Sequence, residues 1–442
     1  MIKLHRHQEL ILAYMEANDA FAIFAEQGTS KTLPALKRID DLILEGEVGR
    51  ALIVGPKATI KGWQRQMGLL GEQAEARLKE HTTVLNYDIV WRRPELLETT
   101  WDIVILDESH YIKTRSSKRT RFCIKLGMNA KYRYILTGTP IANKKMEEIY
   151  SQFVFLAPEK RPNTHWIASE WLGNWSEFSS RYFLVDKWGN PWKYLRVAEL
   201  QEIINEHSYR VLKEDCLDLP DKLPDEQYDI ELKEKAMYKE LHKDSVIMEY
   251  EMVAENALAK MTKLRQLCSG FLVDNQGVMY EKKCEKAKIL SEYLDGREGQ
   301  KTVIFCEYRY SIDQVTKMLD KRKQSYLVLD GRQADKGIWQ QFQSDPKIEI
   351  MICQYQSGNA GIDLYASDTI IFYEPTLSST TLSQAKDRIH RIGQNKKCSY
   401  IHFITEGTVE EAIYKSLLQY EDFGKKLFEE YLDDYQKGYY KR

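Results

Sequence analysis

The chain has 442 residues, 29% of them charged and 43% hydrophobic, a globular composition too long for a single core, so two or three domains are expected. A formal net charge of −2 excludes a global pull toward nucleic acid and leaves any such binding to local basic patches. No apolar run approaches the ~20 residues that span a bilayer, the first residues lack the apolar core of a secretory signal, and seven cysteines (Cys123, Cys216, Cys268, Cys284, Cys306, Cys353, Cys398) form no C-x-x-C pair; the expectation is a cytoplasmic setting with reduced, mostly buried thiols.

In chain order, His5–Ala17 has helical spacing and Phe21–Ala25 is a short apolar run. Gln27-Gly28-Thr29-Ser30-Lys31-Thr32 follows, then a helical pattern with Leu33, Leu36, Ile39 and Ile43 on one face. A strand, a small-residue loop ending in Lys-Thr and a helix make the arrangement of a phosphate loop. Backbone N–H groups and the helix N-terminus hold phosphates, the lysine reaches the outer phosphates and the threonine hydroxyl takes magnesium. The full pattern has glycine at the positions of Ala25 and Ser30, whereas this chain has only Gly28. A Cβ at position 30 is tolerated if its φ is negative.

Ala51–Val54 reads as a second buried strand, followed by Gly55-Pro56-Lys57 and a helix containing Trp63. Thr83–Leu85 is a third, leading into Asn86-Tyr87-Asp88. Ile103–Leu106 is a fourth and ends in two adjacent carboxylates, Asp107 and Glu108. Four consecutive apolar residues suit a strand buried on both faces of a parallel sheet. The carboxylates then sit at its carboxyl end, the edge where open α/β sheets bind ligands. One acid on magnesium and one orienting a water is the chemistry such a pair supports; an isolated Asp-Glu pair is more often just a solvated strand end. Tyr132–Leu136 is the fifth strand and ends in Thr137-Gly138-Thr139-Pro140. A first parallel-sheet lobe is expected over residues 1–157.

Residues 158–270 differ. Five of the nine tryptophans fall between Trp166 and Trp192, two prolines mark an extended connector at Asp218–Pro224, and Lys233–Cys268 has a long, charged helical pattern capped by Gly270. This stretch reads as a mostly helical insertion whose tryptophans are core rather than a base-stacking platform.

The last third, 271–442, repeats the α/β rhythm with strand candidates at Thr302–Phe305, Tyr326–Leu329, Ile348–Cys353, Thr369–Tyr373 and Tyr400–Ile404. A glycine-bearing loop, Gln356–Leu364, follows one of them. Gln384–Gln394 reads Q-A-K-D-R-I-H-R-I-G-Q; Arg388 and Arg391, three apart, project from one face if the segment is helical, and two such guanidinium forks suit a phosphate chain. An exposed basic helix face is the simpler alternative. The Lys/Tyr-rich tail, Tyr435–Arg442, is expected to fray.

Together these segments resemble the superfamily 2 helicase fold, in its Swi/Snf-type branch of chromatin-remodelling ATPases. The residues that carry the resemblance are Gln8, G-T-S-K-T at 28–32, G-P-K at 55–57, N-Y-D at 86–88, D-E-S-H at 107–110, L-T-G-T-P-I-A-N at 136–143, the loop at 356–364 and D-R-I-H-R-I-G-Q at 387–394. The resemblance implies an α/β fold of two RecA-like lobes closing on ATP, with the helical insertion between them. It implies that Lys31 holds the β- and γ-phosphates, that Thr32 and Asp107 hold Mg2+, and that Glu108 activates the attacking water. Gln8 would read the adenine edge. Gln27, Gly28, Thr29, Ser30, Gly361 and Asp363 would also line the nucleotide. Arg388 and Arg391 would act as arginine fingers from the second lobe, and Thr137 and Thr139 would couple nucleotide state to the track. Lys57, Asn86, Tyr87, Lys113 and Gln356 would contact the nucleic-acid backbone.

The resemblance further implies a DNA-stimulated ATPase that moves along double-stranded DNA with little sequence preference, as a monomer. Ser30 and Asn359 stand where the family commonly has glycine, and no appended chromatin-reading domain is visible, so a minimal engine of phage or bacterial type is expected. A strand-separating DNA or RNA helicase and a hydrolysis-deficient nucleotide-binding scaffold are the alternatives. Intact Lys31, Thr32, Asp107, Glu108, Arg388 and Arg391 argue against the scaffold.

Overall fold

The computed structural model describes residues 3–419 apart from 58, 142–144, 161–166, 188, 217–218, 245, 248–251, 254–256, 333–336 and 359–361. The chain divides into two compact units, unit 1 (Met1–Asp218) and unit 2 (Leu219–Arg442).

Unit 1 is built on six parallel strands: β1 (Ala20–Ala25), β2 (Ala51–Gly55), β3 (Thr82–Asn86), β4 (Ile103–Asp107), β5 (Tyr132–Leu136) and β6 (Ser208–Val211), in the order β6-β1-β5-β4-β2-β3. Alternate residues enter opposite cores. Ala22, Phe24, Leu52, Val54, Val104 and Leu106 pack on one face; Phe21, Ile23, Ala51, Ile53, Ile103 and Ile105 pack on the other. Burial on both faces is why the central strands read as unbroken apolar runs. Helix α1 (Arg6–Ala17) precedes β1, and α2 (Thr32–Leu44) and α3 (Ile60–Met67) follow β1 and β2. Because the strands are parallel, the loops after β1, β5 and β4, three neighbours in the sheet, share one edge.

Unit 2 repeats the plan with β7 (Glu226–Ile230), β8 (Thr302–Cys306), β9 (Tyr326–Leu329), β10 (Ile350–Gln354), β11 (Thr369–Phe372) and β12 (Ser399–Thr405), ordered β7-β12-β11-β8-β10-β9 and all parallel. Two cores again flank the sheet, one around Phe305, Phe342 and Phe372, the other around Ile304, Ile352 and Phe403. The two parallel-sheet lobes are those the sequence leads one to expect.

The stretch 158–270 differs from the expectation of one mostly helical insertion. It is divided between the units: β6 is the edge strand of the first sheet and β7 the edge strand of the second. Its first half carries two small antiparallel hairpins, Pro158–Lys160 with Ile167–Ser169 and Phe183–Val185 with Pro191–Tyr194, around the helix Trp175–Tyr182. The long helical pattern further on is two helices, Lys235–Asp244 and Ala257–Cys268, interrupted by a short antiparallel pair. Gly270 caps the second of them at φ +83. Trp171 and Trp175 pack against the unit 1 core, whereas Trp192 is 64% exposed, so the core reading fails for that one.

All seven cysteines are free thiols, and five of them are buried. No helix among the described residues is long and apolar enough to cross a membrane. The tail at 435–442 lies outside the described residues.

Candidate active site

The loop after β1 carries the phosphate-loop sequence, and α2 starts at Thr32, so the helix N-terminus and its N–H groups face the loop. Gly28 turns the chain at φ +89. Ser30 also lies in the left-handed region, at φ +57, where the sequence reading needed a negative angle. This is the conformation in which glycine carries no Cβ penalty, and it explains why the full pattern has glycine there. Buried Thr29 donates its hydroxyl to the Glu26 carbonyl at 2.8 Å. Gly138, in the loop after β5, leaves only tight room for a Cβ: the Ala25 carbonyl and Glu26 Cα would both lie 3.2 Å away. The phosphate loop therefore rests directly on the Thr-Gly-Thr loop.

Helix α1 fastens the same loop from the other side. His7 Nε2 donates to the Thr29 carbonyl at 2.9 Å, and Gln8 Nε2 donates to the Ser30 carbonyl at 3.2 Å while its Oε1 accepts from the His5 N–H at 2.9 Å. Gln8, expected at the adenine edge, is 2% exposed and holds loop backbone in this structure. A residue pair the sequence did not flag completes the cradle: Glu26 accepts the Lys213 N–H just past β6, at 2.9 Å.

Asp107 and Glu108 close β4 at the same edge, and both are buried. The Trp63 indole, from α3, donates to Asp107 Oδ2 at 2.9 Å, and the Tyr87 hydroxyl donates to the Asp107 carbonyl at 2.9 Å. Glu108 is left-handed at φ +51, an uncommon geometry for a non-glycine residue that re-aims its side chain. Around its carboxylate stand Lys31 Nζ (3.5 Å), Gln27 Nε2 (3.5 Å), Thr137 Oγ1 (3.4 Å) and His110 Nδ1 (3.4 Å). His110 Nδ1 also lies 3.2 Å from Thr137 Oγ1, and the Thr139 N–H donates to that hydroxyl at 3.1 Å. Burial alone would raise the Glu108 carboxyl, but Lys31 and His110 outweigh it and hold it well below the usual carboxylate range. Asp107 goes the other way, raised by burial and by the adjacent Glu108 charge. The two neighbouring carboxylates thus carry opposed shifts, Glu108 held down by Lys31 and His110 and Asp107 pushed up by burial and by the Glu108 charge. Trp63 and His110 were not given roles from sequence; an indole one turn into the helix after Gly55-Pro56-Lys57 and a histidine two residues past Glu108 were the available signals.

The residues expected on the nucleic-acid backbone separate into two groups. Lys57 is exposed, and so is Gln356, on the short helix Tyr355–Gly358 of unit 2. Lys113 is partly exposed and pairs with Glu148 at 3.0 Å. Asn86 and Tyr87 are corrected: both side chains are buried and used inside unit 1. Asn86 Oδ1 caps the turn at 87–90 by accepting the Asp88 and Ile89 N–H groups at 3.0 Å, and Tyr87 is 1% exposed with its hydroxyl on Asp107.

In unit 2 the helix α4 (Ser379–Lys386) ends before the two arginines. Arg388 and Arg391 therefore do not share a helix face; residues 387–389 are turns, and the pair converges by another route. Each sends an Nη1 to the Ile362 carbonyl at 3.3 Å, and Arg391 pairs with Asp363. The helix reading failed because spacing alone cannot reveal where a helix ends. Gly361 and Asn359 lie outside the described residues.

Residues 7–271 match the SNF2-related domain and residues 285–393 the helicase conserved C-terminal domain. An uncharacterized ATP-dependent helicase of Mycoplasma genitalium is 29% identical over 352 residues, 78% of this chain and 32% of that protein. The DNA annealing helicase and endonuclease ZRANB3 of Mus musculus is 25% identical over 88% of this chain and 34% of its own length. The chain thus spans about a third of the length of these relatives. Among solved structures, a Sulfolobus solfataricus SWI2/SNF2 ATPase core in complex with dsDNA aligns over 94% of this chain and 90% of that one, at 24% identity and a TM-score of 0.44.

Proposed function

The chain belongs to the SNF2-related family of helicase-like ATPases, and we propose that within it this protein hydrolyses ATP to drive movement along double-stranded DNA. The observation that carries the reading is the meeting of Lys31, Asp107, Glu108 and Thr137 at one edge of one sheet. Lys31 would hold the β- and γ-phosphates. Glu108, ionised and braced by His110 and Thr137, would orient the attacking water and take its proton.

Thr32 and Asp107 would hold Mg2+. A buried carboxylate crowded by a second one is a group that a cation relieves, and a hydroxyl and a carboxylate are hard oxygen donors. Among the described residues no three His, Cys, Asp or Glu side chains gather as a metal cage. That fits magnesium, which takes most of its ligands from phosphate and water. When bound, the ion neutralises charge on the phosphate chain. Arg388 and Arg391 would stabilise charge on the transferring phosphoryl group, a contribution of ~10³–10⁵ in rate in related enzymes. Because Thr137 touches Glu108 and belongs to the Thr-Gly-Thr loop, it is the natural link from hydrolysis to the rest of unit 1.

Lys57, Lys113 and Gln356 remain the candidates for the DNA backbone. A relative named as a DNA annealing helicase supports DNA as the track.

The test is steady-state ATP hydrolysis alone, then with duplex DNA, single-stranded DNA and RNA, with Lys31→Ala as blank. Stimulation by duplex DNA is the expected result. Stimulation by single strands or RNA alone would transfer the assignment to a strand-separating helicase. ATP binding without hydrolysis under every condition would make the chain a scaffold.

A further inference from the structure

Unit 2 opens with an irregular run, Leu219–Asp225, and the polar contacts of that run fall on the segment that carries the two arginines and on residues 397–402 that lead into and begin β12. His390 Nε2 donates to the Pro220 carbonyl at 2.9 Å. The Cys398 N–H donates to the Asp221 carbonyl at 3.2 Å, and the Leu223 N–H donates to the Cys398 carbonyl at 2.9 Å. Lys222 approaches Asp387 at 3.8 Å. Asp225 Oδ2 accepts from Lys386 Nζ at 2.6 Å and from His402 Nε2 at 2.8 Å. Lys397 and Asp221 also pair, at 3.2 Å, but both are largely exposed and such pairs contribute little. The contacts that matter are the buried ones, through Lys386, His390 and His402.

Their position in the chain gives them a consequence. Helix α4 stops at Lys386, so the backbone of Arg388 and Arg391 is not held by a continuing ladder of helical hydrogen bonds. The Arg388 N–H donates to the Ala385 carbonyl at 3.1 Å and the Arg388 carbonyl accepts the Leu364 N–H at 2.9 Å, and to these backbone bonds the run 219–225 adds two anchors: Lys386 to Asp225 just before Arg388, and His390 to Pro220 between the two arginines. Burial would raise the Asp225 carboxyl, but His402 and Lys386 outweigh it and hold it below its ordinary value, so it is ionised and both bonds are charge-assisted.

We propose that residues 219–225 act as a strap that fixes the arginine segment, with Asp225 and His390 as positioning residues for phosphoryl transfer. The proposal rests on the role given above to Arg388 and Arg391. A guanidinium must stand within hydrogen-bond reach of the transferring group, and a displacement of about 1 Å is enough to cost roughly 100-fold in rate. The strap acts through Lys386 and His390, the residues that flank Arg388 in the chain.

The experiment uses the full chain with saturating duplex DNA and measures kcat, KM for ATP, the Kd of a fluorescent ATP analogue and the melting curve. Asp225→Ala and His390→Ala are expected to lower kcat by about 10-fold to 100-fold and to leave the analogue Kd within about twofold. His390→Gln, whose amide nitrogen falls near the position of the histidine Nε2 and can still donate to the Pro220 carbonyl, is expected to recover kcat to within about threefold of the parent. If Asp225→Ala does not fold, Lys386→Gln carries the same expectation while keeping the Asp225–His402 bond. Folded alanine variants with parental kcat, beside an Arg391→Ala that has lost turnover, would overturn the strap. Parental kcat in both Arg388→Ala and Arg391→Ala would instead remove the role of the arginines, and the strap proposal with it.

Discussion

Lys31 Nζ lies 3.5 Å from Glu108 Oε1, with both side chains about nine-tenths buried, so the residue proposed for the phosphates is held against the residue proposed for the water. An incoming phosphate chain must compete with that carboxylate for the lysine, and it also meets the Glu108 charge. Glu108→Gln removes the charge and keeps the shape. Turnover should fall by about 10²-fold or more, the usual contribution of a general base, while nucleotide affinity should hold or improve. Equilibrium titration with a fluorescent nucleotide beside steady-state hydrolysis checks both halves. Weakened binding with turnover intact would reverse the roles given to the pair.

Ser30 provides a second prediction. Its φ of +57 costs a residue with a Cβ roughly 1–2 kcal/mol, whereas glycine in the unfolded chain gives back about 0.5–1 kcal/mol in entropy. Ser30→Gly should therefore be neutral or stabilising by up to ~1.5 kcal/mol, with hydrolysis equal or faster. Ser30→Val, β-branched, should be worse than the parent on both counts. A marked loss of activity in Ser30→Gly would mean that the hydroxyl has a task of its own.

These two residues also mark what was legible in the chain and what was not. The central strands announce themselves because both faces are buried, so Ile103–Leu106 and Ala51–Val54 are continuous apolar runs. The edge strands do not. Ser208–Val211 and Glu226–Ile230 are half-solvated and polar, and nothing in S-Y-R-V or E-Q-Y-D-I separates them from loop. That is how a stretch shared by two sheets reads as an insertion. At the site, residue type singled out Lys31, Asp107 and Glu108 as candidates, which the fold brings to one edge, but it did not reveal the local conformation of Ser30 or the end of α4 before Arg388. Asn86 and Tyr87 show the converse. Their polar atoms suggest an outward task, yet a helix cap and a β4 carbonyl take them inside.

Acid should weaken unit 1 through His207. Its ring stacks on Trp171 with centroids 3.6 Å apart, and burial pushes its pKa below the ordinary 6.5. The unfolded chain then takes up the proton first. The contribution is fully present above pH 6.5 and is lost as pH falls below it toward the folded value, at a slope of at most ~1.4 kcal/mol per pH unit. His207→Phe keeps the stacked ring without the titration, so its melting temperature should fall less than the parent's between neutral pH and pH ~5. Equal acid sensitivity in the two proteins would show that His207 is not linked to stability.

The deepest ion pair of unit 2 sets the last prediction. Lys286 Nζ donates to both Glu410 oxygens at 2.8 and 2.9 Å, and the two side chains are 0% and 1% exposed. Glu410 Oε2 also accepts the Thr405 N–H at 2.9 Å, which ties the end of β12 to the pair. Lys286→Met leaves a buried carboxylate without its cation and should cost roughly 3–5 kcal/mol in urea denaturation. Removing both charges in Lys286→Met/Glu410→Gln should recover part of that loss, since an uncharged buried pair no longer carries an unbalanced charge. Recovery should stay incomplete. Glu374 is buried as well, its carboxyl already raised by burial and drawn back by Lys286, and without the lysine it shifts further up. A double variant no more stable than Lys286→Met would show that the pair is not coupled. One fully as stable as the parent would show that Glu374 does not depend on Lys286.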